Sequence, residues 1–269
     1  MVRLAELFSE NHTVFIYGQE KYNHKNHMHL CEDIQECLNS SNILISGIPL
    51  SKDNIIVNAP YSDKEIRLEE IYSNIENKTF IAGGIPIQFY ENKTIKNIDL
   101  LQIEELTILN AIPTAEGTIK IAIEETETTI HESKIMIFGY GRIGKILCER
   151  LKYLGADIYC VARKEEDLTW IREEGYIPVT YQEIENNADK IDIIINTVPS
   201  LVIEEKIIRK LKQSCLVIDV ASNPGGVDKN MAKRYKIKVI TALGIPGKIA
   251  PLTTAKYIKE TIEKELIKI

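Results

Sequence analysis

A chain of 269 residues, 44% hydrophobic and 27% charged, has the size for one or two domains and the composition of an ordinary globular protein. A net charge of −6 with no basic stripe argues against nucleic-acid binding, and no apolar run approaches the roughly 18 residues of a membrane span. Early acids without a signal-peptide core, and five cysteines (Cys31, Cys37, Cys148, Cys160, Cys215) without a C-x-x-C, give the expectation of a reduced, cytoplasmic protein.

The first hundred residues alternate loosely between helical and strand-like stretches. Helices are expected near Val2–Phe8, His29–Leu38 and Lys64–Asn74, and strands at Thr13–Tyr17, Asn42–Ser46, Ile55–Val57 and Thr79–Ala82. Ile103–Glu127 reads as one long helix, or two broken at Pro113. A break there would put Thr114 and Glu116 at the interdomain cleft; the alternative is a kinked core helix.

From Lys134 the pattern becomes regular. Lys134–Phe138 is an apolar strand that runs into Gly139-Tyr140-Gly141-Arg142-Ile143-Gly144, followed by a helix over Lys145–Leu154 and a strand over Asp157–Val161. In that order the three glycines have separate tasks: Gly139 for the tight turn, Gly141 for close approach of a pyrophosphate, and Gly144 for helix–strand packing. Phosphates would lie on the helix N-terminus, where free N–H groups and the dipole favour anions. Further strands are expected at Tyr176–Val179, Ile191–Asn196, Leu216–Val220 and Lys238–Thr241. Helices are expected near Lys164–Glu174, Tyr181–Asn187, Glu204–Lys212, Asp228–Tyr235 and Leu252–Leu266. Continuous apolar strands alternating with helices predict a parallel sheet covered on both faces.

The expected architecture is therefore α/β with two domains. It comprises a smaller N-terminal α/β domain (1–100), a linker helix (101–130), a Rossmann-type doubly wound parallel sheet (131–248) and a last helix (249–269) that folds back towards the first domain.

After the second strand of the dinucleotide region stand Val161-Ala162-Arg163-Lys164, where an NAD site would carry an acid for the ribose hydroxyls. Arg163 can pair with a 2′-phosphate as a fork and Lys164 adds a point charge, so NADP is the expected cofactor. The competing reading is that the pair only opens a solvated helix rich in Glu165, Glu166 and Asp167. Ligands in such sheets bind at the carboxyl ends of the strands, which makes three loops candidates. Asn196-Thr197-Val198-Pro199 would flank the nicotinamide ribose. Ser222, Asn223, Gly225 and Gly226 in one string, and Gly247 and Lys248 in another, supply donors suited to a substrate with two carboxylates. All five histidines precede the glycine motif, so the late acid–base histidine of a 2-hydroxyacid dehydrogenase is lacking. His24, His27 and His29 have no acidic or thiol partner at ligand spacing, and no metal site is expected.

Together these strings resemble the A subunit of dipicolinate synthase, a sporulation enzyme of Gram-positive spore formers. The resemblance rests on Leu109–Gly117, Gly139–Gly144, Val161–Arg163, Ile195–Pro199, Ile218–Gly226 and Gly244–Pro251, and covers residues 100–261 closely. It implies NADP-dependent oxidation, with loss of water, of 4-hydroxy-tetrahydrodipicolinate to dipicolinate in the mother cell. It also implies a partner, the flavoprotein-like B subunit of dipicolinate synthase. In that reaction Lys248, Ser222 and the Gly225–Gly226 backbone would hold the carboxylates, Thr114 would line the substrate and Glu116 would accept a proton. The family pattern opens with a strand and a Gly-Gly-Asp turn, whereas this chain opens on the helix Val2–Phe8. Either the start is assigned too late or the first domain is degraded, and neighbouring strands would have exposed edges. Two alternatives stand beside this reading: a non-catalytic subunit that binds nucleotide for assembly, and an NADP-dependent oxidoreductase acting on another small dicarboxylate or cyclic imine.

Overall fold

A computed structural model describes residues 1–22 and 28–268. The chain divides into two compact units, Met1–Leu109 with Ala250–Ile269, and Asn110–Ile249.

In the first unit five short strands form two parallel sheets. β1 (Val14–Ile16) pairs with β2 (Met28–Leu30), and β3 (Ile43–Ile45), β4 (Thr79–Ala82) and β5 (Lys96–Asp99) pair in that order. β1 and β3 therefore each have one neighbour and one open edge among the described residues. Ser46 N–H bonds to Ile81 O and Thr79 N–H to Asn42 O, so alternate residues of β3 face β4 and those between face the open edge. Leu4, Leu7 and Phe8 of the first helix join Ile45, Ile81 and Ile98 in one core, whereas Ile34 and Leu38 join Leu44, Phe80 and Ala82 in another. The last helix, Pro251–Ile267, adds Ala255, Ile258 and Ile262 to the former.

Several expectations for this unit are corrected. Residues 28–30 form a strand and the helix begins only at Ile34, where Asp33 caps it by accepting from Glu36 N–H. Ile55–Val57 makes isolated antiparallel bridges instead of a sheet strand, because Ser51 and Arg67 are its partners. The helix expected over Lys64–Asn74 is confined to Leu68–Tyr72, and β5 has no counterpart among the expected strands.

The second unit is a single parallel sheet of six strands: β6 (Lys134–Phe138), β7 (Asp157–Val161), β8 (Ile177–Val179), β9 (Ile193–Asn196), β10 (Leu216–Asp219) and β11 (Lys238–Thr241). Their order, β11-β10-β9-β6-β7-β8, is the doubly wound Rossmann arrangement, with the switch point between β6 and β9. Side chains alternate between two cores, as the period of a strand requires. Ile135, Ile137, Cys160, Ile193 and Ile195 face Leu147, Leu151 and Ile171, while Met136, Phe138, Val161, Ile194 and Val217 face the helices that follow β8, β9 and β10.

The helix Glu104–Glu125 passes through Pro113 without a break. Its second half belongs to this unit because Ala115 and Ala122 lie in the core beneath β6. At Gly117 a Cβ would lie 2.2 Å from Ile245 and 2.8 Å from Ile249, so the glycine is what lets a short helix, Ile245–Ile249, lie directly on it. That short helix occupies a stretch expected to be loop. All five cysteines are free and buried.

Candidate functional site

The carboxyl edge of the six-stranded sheet gathers most of the residues singled out in the sequence. At the switch point the chain turns at Gly139, whose φ of +95° is one that only glycine adopts readily. A side chain there would also meet Thr197 Oγ1 at 2.6 Å, which shows how closely the loop after β9 approaches the turn. Thr197 is held in place because its hydroxyl donates to Phe138 O at 2.7 Å. Gly144 packs the helix onto the turn, since a Cβ would lie 2.0 Å from Gly139 O. Gly141 is the opposite case: nothing stands within 4 Å of where its Cβ would be. It is the N-cap of the helix Arg142–Tyr153, with no side-chain cap, so that end presents backbone donors and the positive end of the dipole to open space. The three glycines thus meet three different demands, and the residues present fit a dinucleotide pyrophosphate at Gly141, Arg142 and Ile143.

Arg163 and Lys164 lie exposed at the end of β7, Lys164 as the N-cap of the helix Glu165–Glu173. Arg163 also reaches the neighbourhood of Tyr181 after β8. Burial pushes the Tyr181 hydroxyl above the usual tyrosine value, and the Arg163 charge opposes that shift. No carboxylate occupies residues 161–164, and the acids Glu165, Glu166 and Asp167 follow in the first turn of that helix.

The loops after β9 and β10 are built differently from the expectation. Asn196 is fully buried. Its Oδ1 accepts from Val198 N–H at 3.1 Å, and its Nδ2 donates to Val198 O at 2.9 Å and to Asp219 Oδ1 at 2.8 Å. It shapes the loop and does not project from it, leaving Pro199 exposed and Val198 half-buried against the core. In the string Asp219–Gly226, the Gly225 N–H donates to Ser222 O and the Gly226 N–H to Asp219 Oδ2 at 3.0 Å. Both glycine amides are thus engaged within the loop and do not point at an anion. The glycines are required for packing: a Cβ on Gly225 would lie 2.7 Å from Asp219 Oδ2, and one on Gly226 2.3 Å from Asn196 Nδ2. Ser222 and Asn223 are exposed at the tip of this loop, with a cis peptide between Asn223 and Pro224.

Lys248 and Gly247 are exposed on the short helix after β11, with open space around Gly244 and Gly247. Thr114 and Glu116 have other engagements. Thr114 is buried, its hydroxyl donating to Asn110 O at 2.7 Å, and Glu116 accepts from Arg150 at 2.6 Å. Asp219, fully buried at the end of β10, is a site residue that sequence reasoning does not reach; its only signal is a carboxylate closing an otherwise apolar strand. Among the described residues no set of three histidine, cysteine or acidic side chains could hold a metal, and no helix is long and apolar enough to cross a membrane. His24 and His27 lie outside the described residues.

Comparison with known proteins also divides the chain. Residues 1–103 match the N-terminal domain of the dipicolinate synthase A subunit. Residues 114–245 match the NAD-binding domain of D-isomer specific 2-hydroxyacid dehydrogenases. The chain is 32% identical over 219 residues to the dipicolinate synthase A subunit of Bacillus subtilis (strain 168), spanning 80% of this chain and 74% of the relative. The crystal structure of the dipicolinate synthase A subunit from Bacillus halodurans superposes with a TM-score of 0.85 at 26% identity, covering 98% of this chain and 93% of that one. The crystal structure of the Bacillus subtilis protein gives 0.84 at 26% identity, covering 99% and 92%. With a Rossmann sheet, an open glycine turn and these relatives over most of its length, the chain belongs to the family of dipicolinate synthase A subunits.

Proposed function

We propose that this protein is the NADP-dependent subunit of a dipicolinate synthase, acting in the cytoplasm of a sporulating mother cell with a flavoprotein-like B subunit. The observation that carries the cofactor choice is the end of β7, where Arg163 and Lys164 stand exposed with no carboxylate at residues 161–164. Loss of water from 4-hydroxy-tetrahydrodipicolinate leaves a dihydropyridine dicarboxylate. Removal of one hydride and one proton from it gives the aromatic ring. The chemistry that a bound NADP⁺ supplies is acceptance of the hydride. Lys248, Ser222 and Asn223 bind the two carboxylates from the loops after β10 and β11, which share the carboxyl edge with the glycine turn. With the Gly225 and Gly226 amides engaged internally, side chains and not backbone carry this task. Val198 and Pro199 border the nicotinamide end. The bond from Arg150 to Glu116 favours a surface ion-pair role for Glu116 over that of proton acceptor, and the buried Thr114 is a helix residue rather than a contact.

The test is to mix the chain with the B subunit, 4-hydroxy-tetrahydrodipicolinate and NADP⁺ and to follow NADPH absorbance and the ultraviolet signature of dipicolinate. Appearance of both is expected; absence of both, with NADPH still bound, would favour the second reading of a nucleotide-binding assembly protein. That reading draws on the divided sheet of the first unit. For the cofactor, Arg163→Ala should weaken NADPH at least about tenfold while sparing NADH, the worth of roughly one charge-assisted pair. Equal loss of both would overturn the choice.

A further inference from the structure

The structure assigns a positioning role to Asp219: it is the buried hub that ties the loop after β9 to the loop after β10. The inference rests on the reading above, that these two loops border the nicotinamide and the substrate. Asp219 and Asn196 are register partners on adjacent strands, and both are fully buried at the strand ends. Every bond the carboxylate makes is one it accepts. Oδ1 takes Asn196 Nδ2 at 2.8 Å and Ala221 N–H at 3.3 Å, and Oδ2 takes Gly226 N–H at 3.0 Å. Gly226 in turn accepts Val202 N–H at 3.0 Å and Ile203 N–H at 2.9 Å on its carbonyl. Through Asn196 the carboxylate sets Val198; through Gly226 it sets the far end of the same loop, at Val202 and Ile203. Ser222 and Asn223 lie in the span that Asp219 closes at Ala221 and Gly226. One buried side chain therefore determines where the presented residues of both loops stand.

The donor pattern makes the position specific for a carboxylate. An asparagine at 219 would turn an amide N–H towards Gly226 N–H or towards Asn196 and Ala221, donor against donor, in a place water does not reach. Asn196 cannot relieve this by flipping, because its own oxygen and nitrogen are both committed to Val198. The neighbouring glycines leave no room to retreat, since both are already in contact with the pair.

The test is Asp219→Asn, compared with Asn196→Ala. In Asn196→Ala the carboxylate at 219 keeps Ala221 N–H and Gly226 N–H, so the loop after β10 stays tied while Val198 loses its bonds to residue 196. Binding is read with NADPH, whose nicotinamide end borders the loops, and with ADP and 2′,5′-ADP, which use only the glycine turn and the end of β7. Asp219→Asn is expected to weaken NADPH at least about tenfold, the worth of one buried unpaired donor, with ADP and 2′,5′-ADP unchanged. Asn196→Ala should weaken NADPH less, because one of the two loops stays tied. Equal weakening of all three ligands, no weakening of NADPH by Asp219→Asn, or a larger loss from Asn196→Ala would overturn the proposal. If Asp219→Asn does not fold, Asn196→Ala decides: it must weaken NADPH while leaving ADP and 2′,5′-ADP unchanged. Failure of 2′,5′-ADP to bind the wild-type chain better than ADP would instead count against the NADP reading and leave the role of Asp219 to the NADPH comparison.

Discussion

β3 and β9 have nearly the same sequence, Ile-Leu-Ile against Ile-Ile-Ile-Asn, and different surroundings. β9 lies between β6 and β10, with every residue buried under helices on both faces. β3 pairs with β4 alone, and its three apolar residues are half-buried or exposed. A β-branched, uniformly apolar strand of a parallel sheet is composed for burial on both sides, so β9 sits in the setting its composition suits and β3 does not. The lesson is that the two units differ in completeness of pairing more than in kind: the dinucleotide sheet is continuous, and the N-terminal layer is divided between β1 and β3.

The largest expected effect exploits that difference. Phe80 is fully buried on β4 and stacks on Phe89 with ring centroids 4.9 Å apart. Phe80→Ala should cost about 3–5 kcal/mol, the usual penalty for emptying such a site. In the divided unit that is a large share of the stability available, so its thermal transition should drop well below that of residues 110–249. Nicotinamide dinucleotide binding, which belongs to the domain matched over residues 114–245, should be unchanged. Loss of dinucleotide binding in this variant would show instead that the two units fold as one.

The same contrast governs how much of the fold is legible in the sequence. The bounds of β6, β7 and β4 follow from the sequence because buried parallel strands are apolar runs bounded by turn residues, and those of β11, an outer strand, because Val239 and Ile240 mark it. β2, Met-His-Leu, and β5, Lys-Asn-Ile-Asp, do not stand out, because polar residues interrupt them and no apolar run marks them. In the site, the glycine turn is legible because each glycine answers to a local backbone demand. The hub at Asp219 and the engagement of Gly225 and Gly226 are not, because they depend on which strands lie side by side. Pro113 is a misleading signal: a helix supported by Ala115 and Ala122 in the core tolerates the hydrogen bond that proline removes.

A second prediction reads local opening in each unit with matched probes. Burial pushes both the Cys37 thiol, in the first unit, and the Cys215 thiol, in the second, up to about 12. Both are raised above the unfolded value near 9. The stability each contributes is therefore complete below pH 9 and is lost as the pH rises from about 9 towards 12. At pH 8 both are protonated and buried in the native state, so alkylation must pass through opening of the surrounding structure. Cys37 should be modified at least about tenfold faster than Cys215, a modest difference for units of unequal local stability. Equal rates, measured by mass spectrometry of the labelled peptides, would contradict the idea that the divided sheet opens more readily.

The smallest effect is expected at Glu116, and it bears on the chemistry of the unit with the continuous sheet. Its side chain is about half exposed, and the Arg150 partner is one-third exposed, so the pair is worth under about 1 kcal/mol. Glu116→Gln should therefore leave the thermal transition nearly unmoved. A general base contributes typically about 10²–10⁴-fold to a rate, far more than this ion pair could through stability. The two roles are thus separable by turnover alone. With the carboxylate engaged by Arg150, turnover of the variant in the presence of the B subunit should stay near the wild-type rate. A hundredfold fall with an unchanged KM would return the proton-acceptor role to Glu116, because an interaction made only in the transition state lowers kcat and leaves KM alone.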